Sequence, residues 1–211
     1  MQEYLTATPV ASIIFVITLI GSLFAFSNEE LYGRLMMHPY SVYRGKSVYT
    51  LITSGFIHRD WMHLIFNMVS YYAFAFYLER LIGHWQFGLL YFVSMILSDL
   101  PSVAKHRNDY NYYSLGASGA ISAVLFSFIL FDPMSGLYIL PFPFAIPAIV
   151  FGPLYLLYCT YASKYSQDNI NHDAHLFGAL SGLMITVALY PKVIPFFLHQ
   201  VIAVVQPLLH R

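Results

Sequence analysis

Ser118 stands directly before Gly119, at the start of an apolar segment that continues to Phe131. A hydroxyl at the start of a helix lies near free backbone N–H groups and the positive end of the helix dipole, where an oxyanion can form. Ser118 is therefore a candidate nucleophile. The alternative is helix packing, because Gly116 and Ala120 form a pair of small residues that lets membrane helices approach closely.

His175 stands near the start of the last long apolar segment and is a candidate general base for the serine. Gly178 and Gly182 follow it at helical spacing, so that both face one partner helix and permit close approach. The alternative is metal ligation by His172 and His175, with Asp173 between them. No third ligand stands at a recognisable spacing, so the sequence predicts no metal and no cofactor.

His63 and Asn67 are four residues apart in another apolar segment and therefore share one helix face. Both side chains can donate hydrogen bonds, and such donors stabilise a developing oxyanion in a water-poor site. The alternative is a polar pair that only holds helices together. A nucleophile, a base and oxyanion donors are together the parts that acyl transfer requires.

The composition predicts a polytopic membrane protein whose medium is the lipid bilayer. Of the 211 residues, 58% are hydrophobic and only 9% are charged, and the mean hydropathy is +0.62. Soluble domains carry roughly 25% charged residues. The net charge is +0 and the basic residues are scattered, which argues against nucleic-acid binding. The single cysteine, Cys159, excludes an internal disulfide and is interpreted as a packing residue.

Six segments are apolar enough to cross about 30 Å of hydrocarbon as helices. The first segment lacks a basic start and a small-residue cleavage site, so it is interpreted as a retained helix. We expect one domain over 1–211, with a partly embedded amphipathic hairpin at 27–60 and an interfacial helix at about 191–211. The predicted spans are Pro9 to Phe26, Trp61 to Leu81, Trp85 to Val103, Leu115 to Phe131, Phe144 to Ala162 and His172 to Tyr190.

The distribution of basic residues conflicts with the simplest orientation. With the N-terminus inside, most lysines and arginines fall outside, against the positive-inside rule. The basic residues placed outside are Arg34, Arg44, Lys46, Arg59, Lys105, Arg107 and Lys164, and those placed inside are Arg80, Lys192 and Arg211.

Three motifs, in this order and spacing, resemble the rhomboid family of intramembrane serine proteases. They are His63 to Asn67, Gly116 to Gly119 and Ala174 to Gly182, within a match from about Ser47 to Tyr190. The resemblance implies an all-α bundle of six transmembrane helices in which Ser118 attacks and His175 is the base. It implies that His63, Asn67 and the backbone N–H of Ser118 hold the oxyanion. Substrates would be transmembrane segments of other membrane proteins.

The same resemblance implies a catalytic cavity on the side of the long first loop. That side is usually extracytoplasmic, which opposes the basic-residue count. We give the resemblance more weight and expect a multi-pass protein of the cell (inner) membrane.

The chain departs from the family pattern at two places. The family often has Trp-Arg in the first loop, with the arginine bound to the glutamate that matches Glu79, whereas this chain has Tyr49 and Thr50. An aromatic residue often follows the nucleophile by four positions and stacks on the base, whereas this chain has Ser122. The sequence therefore does not fix how the loop is anchored or how His175 is oriented.

Two other functions remain open from the sequence. A catalytically inactive relative that binds membrane clients would lack the serine or the histidine, and both are present. A proton or metal transporter would be favoured by paired acidic residues in mid-span, but the aspartates in question lie near span ends. These are Asp99, Asp132, Asp168 and Asp173. A zinc protease is excluded more firmly, because no His-Glu-x-x-His motif occurs.

Overall fold

A bundle of long helices forms most of the structure, a computed structural model that describes residues 6–139 and 144–209. Short helices fill the first long connection, and one small hairpin precedes the fifth long helix. The elements are α1 (Pro9–Ser27), α2 (Glu29–Leu35), α3 (Pro39–Tyr43), α4 (Thr50–Thr53), a 3-10 turn (Ser54–Phe56), α5 (Trp61–Ile82), α6 (His84–Lys105), α7 (Ser118–Phe131), β1 (Gly136–Tyr138), β2 (Ala145–Pro147), α8 (Ala148–Tyr165), α9 (His172–Leu189) and α10 (Val193–Leu209).

The fold class predicted from the sequence is confirmed: the protein is an all-α membrane bundle with a helix at each of the six predicted spans. Within the described ranges, α1, α6 and α9 are long and apolar enough to cross a membrane by themselves. The 14 residues of α7 extend only about 21 Å. Because α7 is buried along most of its length, it need not meet lipid from end to end. The six-span count is consistent with this arrangement.

Two predicted spans begin later than expected. The fourth starts at Ser118 instead of Leu115, because Gly116 adopts φ +115°, outside the helical region. The fifth starts at Ala148 instead of Phe144, because β2 pairs antiparallel with β1 immediately before the helix. In both cases, non-helical backbone precedes a helix that lines the candidate site.

The first long connection folds into α2, α3, α4 and the 3-10 turn. An isolated antiparallel bridge joins it to the segment before α7, where Met37 and Ser114 exchange two 2.9 Å backbone hydrogen bonds. The Tyr49 hydroxyl donates to the Arg34 carbonyl at 3.1 Å, and Thr50 donates to a carbonyl within the same connection. The connection is therefore anchored by side-chain hydrogen bonds to its own carbonyl groups and by backbone pairing with the segment before α7. Its depth in the membrane stays a prediction.

Glu79, near the end of α5, binds the start of α1. Its carboxylate accepts hydrogen bonds from the backbone N–H groups of Val10 at 3.1 Å and Ala11 at 2.6 Å, and it contacts His84 Nδ1 at 2.7 Å. A carboxylate at a helix N-terminus satisfies free donors and interacts favourably with the helix dipole. In this chain, the first helix takes the place of the arginine that the family resemblance implied.

The C-terminal segment is helical, as α10, and contacts the end of α7. Gln200 Nε2 donates to the carbonyl oxygen of Phe131 at 2.9 Å, and Val193 is buried. The predicted helix is present, whereas its location at the membrane interface stays a prediction.

The helices α7 and α9 pack at backbone contact. A Cβ built on Gly178 would overlap the Gly119 carbonyl, and one built on Gly182 would overlap the Ala123 carbonyl. These glycines confirm the close approach expected from their spacing. The start of α7, with Ser118, is thereby held beside the start of α9, with His175.

Gly178→Ala should destabilise the bundle by about 1–3 kcal/mol, because the added methyl group meets backbone that cannot move away. The measurement is the thermal unfolding midpoint of the detergent-purified protein.

Gly33→Ala is the matched control. Gly33 lies inside α2 with open space around its Cα, so alanine should leave the midpoint unchanged or raise it slightly. Equal midpoints for Gly178→Ala and the wild type would contradict the packing account.

Candidate active site

The backbone before α7 is held in place by two hydrogen bonds. The N–H of Gly116 donates to the Ser54 carbonyl at 2.9 Å, and the N–H of Ala117 donates to His58 Nε2 at 3.4 Å. Ser118 follows immediately as the first residue of the helix. The first N–H groups of a helix have no partner within it, so free donors lie in the turn that begins with Ser118, at the positive end of the dipole.

His58 connects this backbone to α1. Because its Nε2 accepts from Ala117, its Nδ1 carries the proton and donates to Ser22 Oγ at 2.9 Å. The Ser22 hydroxyl in turn donates to the Phe56 carbonyl at 3.2 Å. Burial lowers the pKa of His58 to about 3, so the ring is neutral and keeps this tautomer near neutral pH. The family resemblance did not predict that His58 would connect α1 to the backbone before Ser118.

His63 and Asn67 lie on one face of α5, as their spacing predicted. Asn67 is buried, and its Nδ2 donates to the His63 carbonyl at 2.9 Å, which leaves a second N–H on the amide. His63 Nδ1 accepts from the backbone N–H of Arg59 at 3.4 Å, so Nε2 carries the proton. That edge of the ring faces Gly116, where a built Cβ would lie 2.8 Å from Nε2.

Asp60 caps the start of α5 and therefore fixes the position of His63 in the first turn of that helix. Its carboxylate accepts from the His63 backbone N–H at 2.8 Å and from Arg59 Nε at 2.9 Å. These two hydrogen bonds hold the pKa of Asp60 below its usual value. The carboxylate thus remains an acceptor at the helix start over the physiological pH range.

The start of α9 is tied to α6 and to the segment before α7. Asn171 caps α9 by accepting from the backbone N–H of Ala174 at 3.0 Å. The same side chain hydrogen-bonds Ser102 at 3.0 Å and donates to Ser114 at 3.0 Å. One amide therefore positions the helical turn that carries His175 relative to the backbone that leads into Ser118.

An aromatic ring does lie against His175, but it comes from a different helix than the family pattern implies. The Tyr155 ring of α8 is nearly parallel to the His175 ring, at 11° and 6.4 Å between centroids. Its hydroxyl contacts Ser122 Oγ at 3.0 Å. Ser122, the residue that departs from the family pattern, thus holds the ring that replaces the missing aromatic residue.

Ser118, His175 and Asn67 line one cavity of about 680 Å³ between α5, α7 and α8. No hydrogen bond joins Ser118 to His175 among the described residues, whereas their shared cavity leaves space for a substrate between them. His63 lies behind Gly116 instead of on the cavity wall. The cavity also opens sideways, because Phe66 and Val69 on its α5 wall are about half exposed.

Sequence reasoning missed Tyr155 because the fifth span was treated only as an apolar segment. The signal was present: Tyr155 and Cys159 are four residues apart, so they share one face of α8. That face packs toward His172 and His175 of α9. A polar face on a membrane helix points to the bundle interior, which would have placed both residues near the site.

Comparison with known proteins places the site inside a matched region. A family model described as the Rhomboid domain matches residues 45–192. The chain is 32% identical over 136 residues to YdcA of Bacillus subtilis (strain 168), a candidate rhomboid protease, and the match covers 64% of each chain. It is 28% identical over 167 residues to the mitochondrial RHOMBOID-like protein 12 of Arabidopsis thaliana, covering 72% of this chain and 49% of that protein. The chain thus spans less than two thirds of the length of either relative.

Proposed function

Because the chain belongs to the rhomboid family, we propose that it is a serine endopeptidase that hydrolyses transmembrane segments of other membrane proteins. The observation that supports this most is the shared cavity of Ser118, His175 and Asn67. A hydroxyl, an imidazole and an amide donor converge there from α7, α9 and α5. Family membership and the apolar helices make the protein an integral membrane protein.

In the proposed mechanism, Ser118 Oγ attacks the carbonyl carbon of the scissile peptide bond while His175 takes the hydroxyl proton. The C–N bond then breaks as His175 gives that proton to the leaving amine. Water next attacks the acyl-enzyme, His175 accepts a proton from it, and the ester bond to Ser118 breaks. The proton returns to Ser118 Oγ, so the dyad is regenerated.

The oxyanion formed in each attack needs donors that are already oriented. Three are at hand in the proposal: the backbone N–H at the start of α7, the Asn67 amide and Nε2–H of His63. The backbone N–H of Arg59, which donates to Nδ1, keeps His63 in the tautomer whose Nε2–H points toward Gly116. Each such donor in a water-poor site is commonly worth about 10² to 10³ in rate.

In this proposal, the substrate enters the main cavity from the side, and a separate small cavity can hold a water molecule. The half-exposed Phe66 and Val69 leave the main cavity open from the side, where a transmembrane segment can approach through the lipid. A second, polar cavity of about 10 Å³ lies on the other side of Ser118, next to Ser98 and Asn171. It has room for about one water molecule.

We place the protein in the cell (inner) membrane, with the cavity on the side of the first long connection. The starts of α5, α7 and α9 all lie at the end of the bundle where that connection packs, since Met37 pairs with Ser114 just before α7. Of the basic residues of that connection, Arg34 lies in α2, whereas Arg44, Lys46 and Arg59 lie between the helices. We give the positive-inside rule little weight for charges in an embedded connection of this kind.

The first test is cleavage of a fluorescent transmembrane peptide by the detergent-purified protein. Ser118→Ala and His175→Ala should each lower the rate to the background of protein-free samples, because each removes one half of the dyad. Thermal unfolding checks that both variants are folded.

Ser27→Ala and His199→Ala are matched controls. Both residues are exposed and far along the chain from the motifs, and the Ser27 hydroxyl donates to carbonyls of its own helix. Both controls should cleave at the wild-type rate. Cleavage by Ser118→Ala at more than a few per cent of the wild-type rate would exclude the proposed nucleophile. Absence of cleavage in the wild type would favour the client-binding function.

Asn67→Ala separates an oxyanion donor from a structural contact. If Asn67 acts in the transition state, kcat should fall roughly ten- to a thousand-fold while KM changes little. The measurement is the peptide concentration series for wild type and variant. An unchanged kcat with a lowered unfolding midpoint would mean that Asn67 only connects turns of α5.

A further inference from the structure

Three metal-ligating side chains meet beside the dyad. Cys159 of α8 and His172 of α9 are buried, His175 is half-buried, and their ligand atoms all lie within 4.8 Å of one another. The sequence offered His172 and His175 as a pair without a third ligand. The structure supplies the third ligand from the neighbouring helix, across a distance that spacing along the chain could not reveal.

His172 has one ring nitrogen that no protein group uses. Its Nδ1 is buried and has no hydrogen-bond partner among the described residues. Its Nε2 lies 3.1 Å from each carboxylate oxygen of Asp168. A buried, unsatisfied polar atom calls for an explanation, such as an ion that it would bind.

The Asp168 carboxylate also prepares His172 as a ligand. When Nε2–H donates to a carboxylate, the proton is fixed on that nitrogen and Nδ1 keeps its lone pair. Metal-binding histidines almost always have this arrangement, and the carboxylate raises the basicity of the ligand. The Tyr158 ring packs edge-on to the His172 ring, at 5.4 Å and 89°, and limits its rotation.

The donor set selects the kind of metal. One thiolate and two imidazoles suit Zn²⁺, which takes sulfur and nitrogen ligands in tetrahedral geometry, and they suit Mg²⁺ or Ca²⁺ poorly. Bond lengths of about 2.3 Å to sulfur and 2.1 Å to nitrogen put tetrahedral ligands roughly 3.5 Å apart. Separations of up to 4.8 Å exceed this value by about 1 Å, so the three side chains must rotate slightly toward one another when the metal binds.

We propose that Cys159, His172 and His175 form a binding site for Zn²⁺ or a similar divalent metal, and that occupancy of this site stops the protease. The inhibitory half rests on the proposed function, because His175 cannot coordinate a metal and accept the Ser118 proton at the same time. Binding releases the Cys159 thiol proton to solvent and leaves both imidazoles neutral. The main cavity can supply a water molecule as the fourth ligand.

Metal binding is measured first, without any activity readout. Zn²⁺ is titrated into chelator-stripped protein in competition with a chromophoric chelator, and Co²⁺ is used as a spectroscopic probe. We expect one ion per chain and a thiolate-to-cobalt charge-transfer band. Because Cys159 is the only cysteine in the chain, that band reports on it alone.

Two variants and one matched control test the assignment. Cys159→Ser should abolish the charge-transfer band and weaken Zn²⁺ binding at least about ten-fold. Asp168→Asn should weaken it about 10- to 100-fold without removing a ligand. The control is Asp109→Asn, which alters another loop aspartate that lies near a histidine, at 3.7 Å from His106. It should bind Zn²⁺ as the wild type does.

The inhibitory half is tested by peptide cleavage at increasing Zn²⁺. The concentration that halves each protein's own metal-free rate should rise at least about ten-fold in Cys159→Ser and in Asp168→Asn, and chelator should restore the rate. Ser118→Ala should bind Zn²⁺ like the wild type, so the metal site can be confirmed even if the protein proves not to be a protease.

Two results would overturn the proposal. Zn²⁺ affinity that is the same in the wild type, Cys159→Ser and Asp168→Asn, with no charge-transfer band, would show that the three side chains do not form a site. Tight binding at the site with an unchanged cleavage rate would overturn the inhibitory half.

Discussion

Backbone contact between α7 and α9 is the constraint on which the candidate site depends. Gly178 and Gly182 place the α9 backbone against the carbonyls of Gly119 and Ala123, so that there is no room for a side chain between the two helices at these positions. In lipid, helices gain little from burying apolar side chains, and close packing of small residues is a main source of their association. The same contact fixes where the first turns of α7 and α9 meet, and Ser118 and His175, the proposed dyad, lie in those turns.

Polar groups inside the bundle are held mainly by one another. Glu79 binds the first turn of α1, Asn171 connects three segments, and Thr186 donates to Ser127 at 2.7 Å between α9 and α7. Each unsatisfied polar group would cost several kcal/mol in hydrocarbon, so these contacts specify how the helices are arranged. Four buried side-chain atoms have no hydrogen-bond partner among the described residues, and Nδ1 of His172 is one of them. We assign it to a metal because His172 lies beside two further side chains that can bind one, Cys159 and His175.

Much of the fold was predictable because its signals are local. Apolar length placed a helix at every predicted span, and the spacing of Gly178 and Gly182 gave the correct packing face. The start of α7 was less predictable, since the φ of Gly116 depends on the His63 ring beside it and on the Ser54 carbonyl. Hydropathy located the spans, whereas tertiary contacts set the starts of α7 at Ser118 and α8 at Ala148, a few residues later than hydropathy alone indicates.

The site was predictable only in its motifs. Ser118, His175, His63 and Asn67 are named by residue type and spacing, and the structure brings three of them to one cavity wall. The Tyr155 ring on His175 and the approach of Cys159 to the histidines depend on how α8 packs against α9, which no single-helix pattern contains. Cys159 was interpreted as a packing residue for the same reason.

Covalent labelling can show whether His175 makes Ser118 nucleophilic, as the proposed mechanism requires. An isolated serine hydroxyl reacts poorly, so a fluorophosphonate should modify this chain only if a base activates that residue. The account predicts labelling mapped by mass spectrometry to Ser118, undiminished by EDTA, absent in Ser118→Ala and much slower in His175→Ala. Labelling of His175→Ala at the wild-type rate, or no labelling of the wild type by a probe shown to enter the membrane, would contradict it.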